Sequence, residues 1–347
     1  MKHRIIYAGL HIENLLILYK QKSLEVSAVA FTKELLHEKT FNPINNIFKL
    51  LYLLRYKEKY RLLEIIFLKI WSKIKIFSYP TYFRYAEYLS ELSKNKTKIL
   101  DLENEKITLD FIKKKNVDLL VVNTCGMLSK NLISAPRLGT VNVHPSKLPK
   151  YRGALPTLWA LKNHDRKSAV TYMLLDKGMD TGKIIKQHTF NIAEKENSIS
   201  LELKINEIIK KTFLSDINKF IKGELVPYKQ ASTPGDSKTG KYYDYMIIDW
   251  QKERGEDIFN KINLYPFVEP FLYCYSVSNN KKIFFKKADF KKNTCLFKCA
   301  RPGEFMVKGF RLCIQTNGGV LITNLFSGLS FKDTLLLFFK RKDKIHL

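Results

Sequence analysis

Apolar positions in the first two hundred residues come in short runs, separated by stretches with a helical rhythm, and this alternation predicts strands and helices in turn. Residues 4–9 and 26–31 read as two short buried strands with an apolar-periodic helix around 11–22 between them. An amphipathic helix over Thr108–Lys115 precedes a third apolar stretch, Val117–Val122, and Val141–His144 and Ala169–Leu175 read as further strands. Alternating strands and helices predict a mostly parallel, doubly wound sheet, in which ligands gather at the carboxyl ends of the strands. A helix from residue 198 to about Lys222 follows, with Leu201, Ile205, Ile208, Ile209 and Phe213 on one face.

Beyond that helix the pattern changes. Ala231–Gly240 is rich in Pro, Gly and Ser and reads as a linker. Short alternating segments at Leu272–Val277, Lys281–Phe285, Arg311–Gln315 and Val320–Asn324 predict a small antiparallel β barrel or sandwich. The expected organisation is a catalytic domain over 1–230, a linker over 231–245 and a β-rich domain over 246–347. Residues 43–76 interrupt the first domain: helical by pattern, rich in Ile, Leu, Phe and Tyr, with eight Lys/Arg against two Glu. Three readings fit: a helical insertion packed on the domain or at a homodimer contact, a basic surface for peripheral membrane contact, or a grip on nucleic acid.

Apolar residues at 45% and aromatics at 13% suit a globular chain and exclude a disordered one. The opening Met-Lys-His-Arg-Ile-Ile-Tyr-Ala-Gly has too short an apolar run for a signal peptide, so a cytoplasmic location is expected. Cys125, Cys274, Cys295, Cys299 and Cys313 then read as reduced thiols. The net charge of +27 invites a polyanionic partner, but only 11 of the 60 basic residues are arginine, the side chain that forks onto phosphate. The loop after the first strand lacks G-x-G-x-x-G, so no dinucleotide site is expected. Cys295 and Cys299, with no histidine or second cysteine pair nearby, do not make a zinc site, and no metal is expected.

Chemistry concentrates in Thr-Val-Asn-Val-His-Pro-Ser (140–146). Asn142 and His144 are two apart on a strand, so their side chains share a face. Asp180 follows 36 residues after the histidine in Gly-Met-Asp-Thr-Gly (178–182). An imidazole to manage protons, an amide to stabilise a developing oxyanion and a carboxylate to orient the imidazole or relay protons through water are the parts needed for moving an acyl group onto an amine. Asp176, four residues before Asp180, either shapes a ligand loop or only caps its turn.

The runs His-Pro-Ser-Lys-Leu-Pro-Lys-Tyr-Arg-Gly-Ala-Leu-Pro-Thr-Leu-Trp-Ala-Leu (144–161) and Thr-Tyr-Met-Leu-Leu-Asp-Lys-Gly-Met-Asp-Thr-Gly-Lys-Ile-Ile (171–185) closely resemble the 10-formyltetrahydrofolate-dependent formyltransferase family. The resemblance is strongest over about 117–190. It implies an α/β, Rossmann-like catalytic domain with a smaller C-terminal OB-like domain, and 10-formyltetrahydrofolate as co-substrate. The family's catalytic Asn, His and Asp fall on Asn142, His144 and Asp180. Its pterin loop falls on Asn123–Leu128, so the resemblance places Cys125, Gly126, Met127 and Leu128 beside the folate, with Asp176 and Gly178 shaping the facing turn. The family's Thr/Ser-Pro-Glu-Phe-Ala start is Leu10-His11-Ile12-Glu13-Asn14 here, and the hydrophobic insertion stands where the tRNA-acting branch carries a Gly/Arg/Lys-rich loop. These departures favour a small-molecule amine as acceptor, a nucleotide-linked amino sugar for surface polysaccharide. Initiator methionyl-tRNA is the alternative, and a formyltetrahydrofolate hydrolase a further one.

Overall fold

In the computed structural model the described residues are 2–9, 12–20, 22–31, 91–92, 94–123, 127–194, 196–231, 245–264, 274–278, 281–285, 287–308, 311–324 and 345–346. The insertion expected over 43–76, most of the expected linker, and Cys125 and Gly126 lie outside them. The chain divides into two compact units. The first comprises Met1–Arg152, Ala169–Thr189 and Asn206–Gly235. The second comprises Gly153–Ser168, Phe190–Ile205 and Asp236–Leu347.

Along the chain the elements begin with β1 (His3–Gly9), α1 (Ile12–Tyr19), β2 (Leu24–Phe31), β3 (Lys98–Asp101), α2 (Glu105–Lys115), β4 (Leu119–Asn123), α3 (Lys130–Ser134) and β5 (Thr140–His144). They continue with α4 (Pro156–Lys162), β6 (Lys167–Leu174), β7 (Ile184–Asn191) and α5 (Ser198–Ile221). The seven strands form one sheet in the order β3-β2-β1-β4-β5-β6-β7. The order reverses between β1 and β4, the switch point of a doubly wound sheet. Every β4 residue is buried, as a central parallel strand covered on both faces requires. On one face Ile6, Ala8, Ala28, Ala30, Leu120 and Val122 pack with Ile112 of α2 and Leu132 of α3. Leu201, Ile205, Ile209 and Phe213 of α5 are buried and Ile208 is half-buried, in keeping with the face expected from the sequence.

Two local features were not in the pattern. Helix α2 begins three residues before the expected Thr108, because the Asn104 side chain accepts the N–H of Ile107 (3.5 Å) and caps the first turn. Strand β6 runs antiparallel to β5, pairing His144 with Thr171 and Asn142 with Met173, whereas the other pairs β1/β2, β1/β4, β2/β3 and β4/β5 are parallel. The connection between β5 and β6 carries one helix, α4, of seven residues.

In the second unit, α6 (Gly255–Leu264) precedes β8 (Cys274–Ser278), β9 (Lys281–Phe285), β10 (Ala288–Lys292), β11 (Glu304–Lys308), β12 (Arg311–Thr316), β13 (Gly319–Asn324) and β14 (Ile345–His346). Five strands form an antiparallel sheet in the order β10-β13-β12-β11-β14, and β8 pairs with β9. Phe305, Val307, Leu312, Ile314 and Leu321 are buried. A Cβ on Gly255 would lie 2.0 Å from Thr316 Oγ1 and 2.5 Å from the Phe290 ring, so only glycine lets α6 start this close to the sheet. Among the described residues no helix is long and apolar enough to cross a membrane.

Candidate active site

Strand β5 alternates two kinds of residue. Val141 and Val143 are buried on one face, and Thr140, Asn142 and His144 occupy the other. Thr140 spends its hydroxyl on the Ile133 carbonyl (2.9 Å), which leaves Asn142 and His144 as the groups with chemistry to offer.

His144 ends the strand and is 4% exposed. Its Nε2 lies 2.8 Å from the carbonyl oxygen of Tyr151. A carbonyl only accepts, so this bond fixes the ring proton on Nε2 and turns Nδ1 towards Asp180, whose Oδ2 is 3.6 Å away. Burial pushes the imidazole pKa below its ordinary 6.5, outweighing the opposing pull of the Asp180 charge and the Tyr151 carbonyl. The resting ring is therefore neutral near pH 7, with its Nδ1 lone pair facing the carboxylate.

The loop after β5 is built to hold that carbonyl in place. Ser146 Oγ donates to the Lys150 carbonyl (2.7 Å), and Thr171 Oγ1 on β6 donates to the Ser146 carbonyl (2.6 Å). Gln187 Nε2 on β7 donates to the Leu148 carbonyl (2.9 Å) and to Thr171 Oγ1 (3.0 Å). The loop includes a cis peptide at Leu148–Pro149 and brings Tyr151 to a left-handed backbone with φ 59°.

Asp180 arrives on the turn between β6 and β7. Its Oδ1 accepts the Asn142 Nδ2–H at 3.1 Å, so one N–H of the amide is engaged and the second is left to serve as a donor. Asp180 is itself left-handed, φ 49°. The turn makes its own frame: Asp176 Oδ1 accepts the Gly178 N–H (2.9 Å) and the Thr181 hydroxyl (2.6 Å) and so caps the turn. A Cβ on Gly178 would meet Thr181 Oγ1 at 2.1 Å, and one on Gly182 the Leu174 carbonyl oxygen at 1.8 Å.

Asn142 and His144, two apart on one strand, thus meet Asp180, brought in from the next turn, in one cluster. Of the residues expected beside a folate, Met127 is 82% exposed, while Leu128 packs against the core of the first unit. Gln230, which the sequence did not single out, also reaches this cluster. Its Nε2 donates to the carbonyls of Asp180 (2.7 Å) and Gly182 (2.8 Å), and its Oε1 accepts from Arg152 Nε (3.0 Å) and Nη2 (2.7 Å). Its only signal in the chain is a polar residue in a loop, which marks nothing. Among the described residues no group of three or more His, Cys, Asp or Glu is placed to hold a metal ion.

Residues 91–217 match the formyl transferase family. The methionyl-tRNA formyltransferase of Thermodesulfovibrio yellowstonii is 31% identical over 217 residues, 61% of this chain and 67% of that protein. The methionyl-tRNA formyltransferase of Caldanaerobacter subterraneus subsp. tengcongensis is 30% identical over 206 residues, 58% of this chain and 65% of that protein, so a third or more of the length of some relatives is unmatched. Among solved structures, an N-formyltransferase from Helicobacter canadensis in complex with folinic acid and dTDP-3-aminofucose superposes with a TM-score of 0.52 at 16% identity, covering 93% of this chain and 99% of that one, a likeness of fold. The chain belongs to the formyl transferase family.

Proposed function

We propose that the protein is an N-formyltransferase that moves a formyl group from 10-formyltetrahydrofolate onto a primary amine. One observation carries this reading: Asn142, His144 and Asp180 converge, with the imidazole buried. The residues fit a formyl donor, offering the second Asn142 N–H for the formyl oxygen and a basic Nδ1 for a proton. The co-substrate supplies an activated one-carbon unit. As the amine nitrogen bonds to the formyl carbon, Asn142 donates to the oxygen on which negative charge develops. His144 Nδ1 takes the proton the amine loses; the imidazolium so formed lies beside Asp180 and adds to oxyanion stabilisation. The same proton then passes to the nitrogen that leaves with the folate as its bond to carbon breaks, which returns His144 to its neutral state.

For the acceptor, methionyl initiator tRNA now stands ahead of the amino sugar that the sequence departures favoured. The relatives at 30–31% identity carry that activity in their names, and the net charge of +27 suits a polyanion. A nucleotide-linked amino sugar is the second reading, motivated by Leu10–Asn14 in place of the family's usual start. The test is turnover of 10-formyltetrahydrofolate by the purified chain with methionyl-tRNA or with a panel of amino-sugar nucleotides. Formylation of either supports the proposal and picks the acceptor; formate release without any acceptor would replace it with a hydrolase, and no consumption of donor would end it.

A further inference from the structure

We infer that Gln230 is a positioning residue for the reaction centre: it clamps the Asp180 turn to the Tyr151–Arg152 loop and so sets the spacing between the carboxylate of Asp180 and the imidazole of His144. The inference rests on the formyl-transfer reading for its kinetic consequence only.

The orientation of the Gln230 amide is forced by its partners. The Arg152 guanidinium can only donate and the carbonyls of Asp180 and Gly182 can only accept, so Oε1 must face Arg152 and Nε2 must face the turn. All four contacts lie between 2.7 and 3.0 Å. On one side the amide holds the backbone of Asp180, a non-glycine residue at φ 49°, a conformation that persists only where the surroundings enforce it. On the other side it holds Arg152, the neighbour of the residue whose carbonyl fixes His144 Nε2. The two halves of the site are carried by chain segments about thirty residues apart, and this single side chain bonds to both.

The side chain touches none of the groups proposed to react. Its effect has to pass through the placement of Asp180. Without the two carbonyl bonds the turn can relax from the left-handed conformation and carry the Asp180 carboxylate away from Nδ1. The elements around His144 carry Lys147, Lys150, Tyr151 and Arg152 on the loop, Lys167 and Tyr172 on β6, and Asp176, Lys177, Asp180 and Lys183 on the turn. Of these, Asp180 is the charge that raises the imidazole pKa against the effect of burial.

The experiment compares the whole wild-type chain with Gln230→Met, which keeps the length and loses every bond, and Gln230→Glu, which keeps an acceptor for Arg152 but has no donor for the carbonyls. His144 is titrated by NMR in each protein without substrate, and formyl transfer is measured in parallel. Gln230→Met is expected to lower the His144 pKa further, and both variants to reduce kcat by about 10²-fold, the scale of an ångström-level misplacement, with the donor KM within about twofold of wild type. An unchanged or raised His144 pKa in Gln230→Met overturns the inference, as does a Gln230→Glu variant that behaves as wild type. If Gln230→Met does not fold, the Glu variant decides alone. A wild-type chain that transfers no formyl group, but whose His144 pKa falls in Gln230→Met, sinks the activity and leaves the clamp standing.

Discussion

Asn142 donates a hydrogen bond to Asp180 across 38 residues of chain, at 3.1 Å. The bond joins the middle of a strand to the tip of a turn, and it leaves the amide with one N–H committed and one to give. It also aims the amide, since an Asn side chain held at one N–H cannot rotate freely about its own axis. Asn142→Ala therefore removes the proposed oxyanion donor together with a tether on Asp180. Turnover is expected to fall by about 10²–10³-fold, with little change in the melting temperature. Steady-state rates beside a thermal melt test this; a near-normal rate would rule out the role.

The buried His144 makes a prediction about pH. Its folded-state pKa is below the ordinary 6.5, so the unfolded chain binds this proton more readily than the native one. The stability this contributes is fully present above about 6.5, the unfolded value, and is lost as pH falls through the lower folded value. The acid limb of the rate profile should lie below 6.5 for the same reason, since protonation removes the base. Urea titrations at several pH values on wild type and His144→Gln check it: the acid-side loss of stability should be smaller in the variant.

Thr171 holds the site loop from β6. Thr171→Val removes the donor to the buried Ser146 carbonyl and the acceptor for Gln187, and leaves that carbonyl without this partner. A loss of about 1–3 kcal/mol is expected, read as a shift in the urea midpoint at constant m-value. A midpoint identical to wild type would show that the loop is held by other means.

Gly182 is closed to any side chain by the Leu174 carbonyl oxygen, 1.8 Å from where a Cβ would lie. Gly182→Ala has to push backbone against backbone and shift the turn that carries Asp180. A destabilisation of about 2 kcal/mol is expected, with a fall in turnover larger than the stability loss alone would produce. Denaturation and kinetics on the same preparation separate the two effects.

Salt distinguishes the acceptors. If the substrate is a tRNA, counterion release should make kcat/KM fall steeply and linearly in a log–log plot against salt concentration. A sugar nucleotide, with two phosphates, should give a shallow slope. Measuring kcat/KM from about 50 to 200 mM salt spans the range over which the difference is large.

The central cluster was legible in the sequence because Asn142 and His144 belong to one strand, where spacing alone decides which face a side chain takes. Asp180 was legible through the long motif around it. The direction of β6 was not, since it is not set by the residues of the strand itself. Asp176 could be read two ways because an aspartate that closes its own turn and one that shapes a ligand loop look alike in a string of letters. Gln230 and Tyr151 were invisible for a further reason. Gln230 acts on main-chain carbonyls, and Tyr151 acts through one, and a carbonyl has no letter of its own.

Strand β5 is bonded on both flanks, to β4 with Asn142 opposite Val122 and to β6 with His144 opposite Thr171. The side chains proposed to react stand at even-numbered positions and its valines at odd ones. The reaction centre is therefore a matter of parity. Adding or deleting one residue within this strand would present Val141 and Val143 where the amide and imidazole belong, erasing the chemistry while preserving composition, and a two-residue slip would restore the face but not its partners.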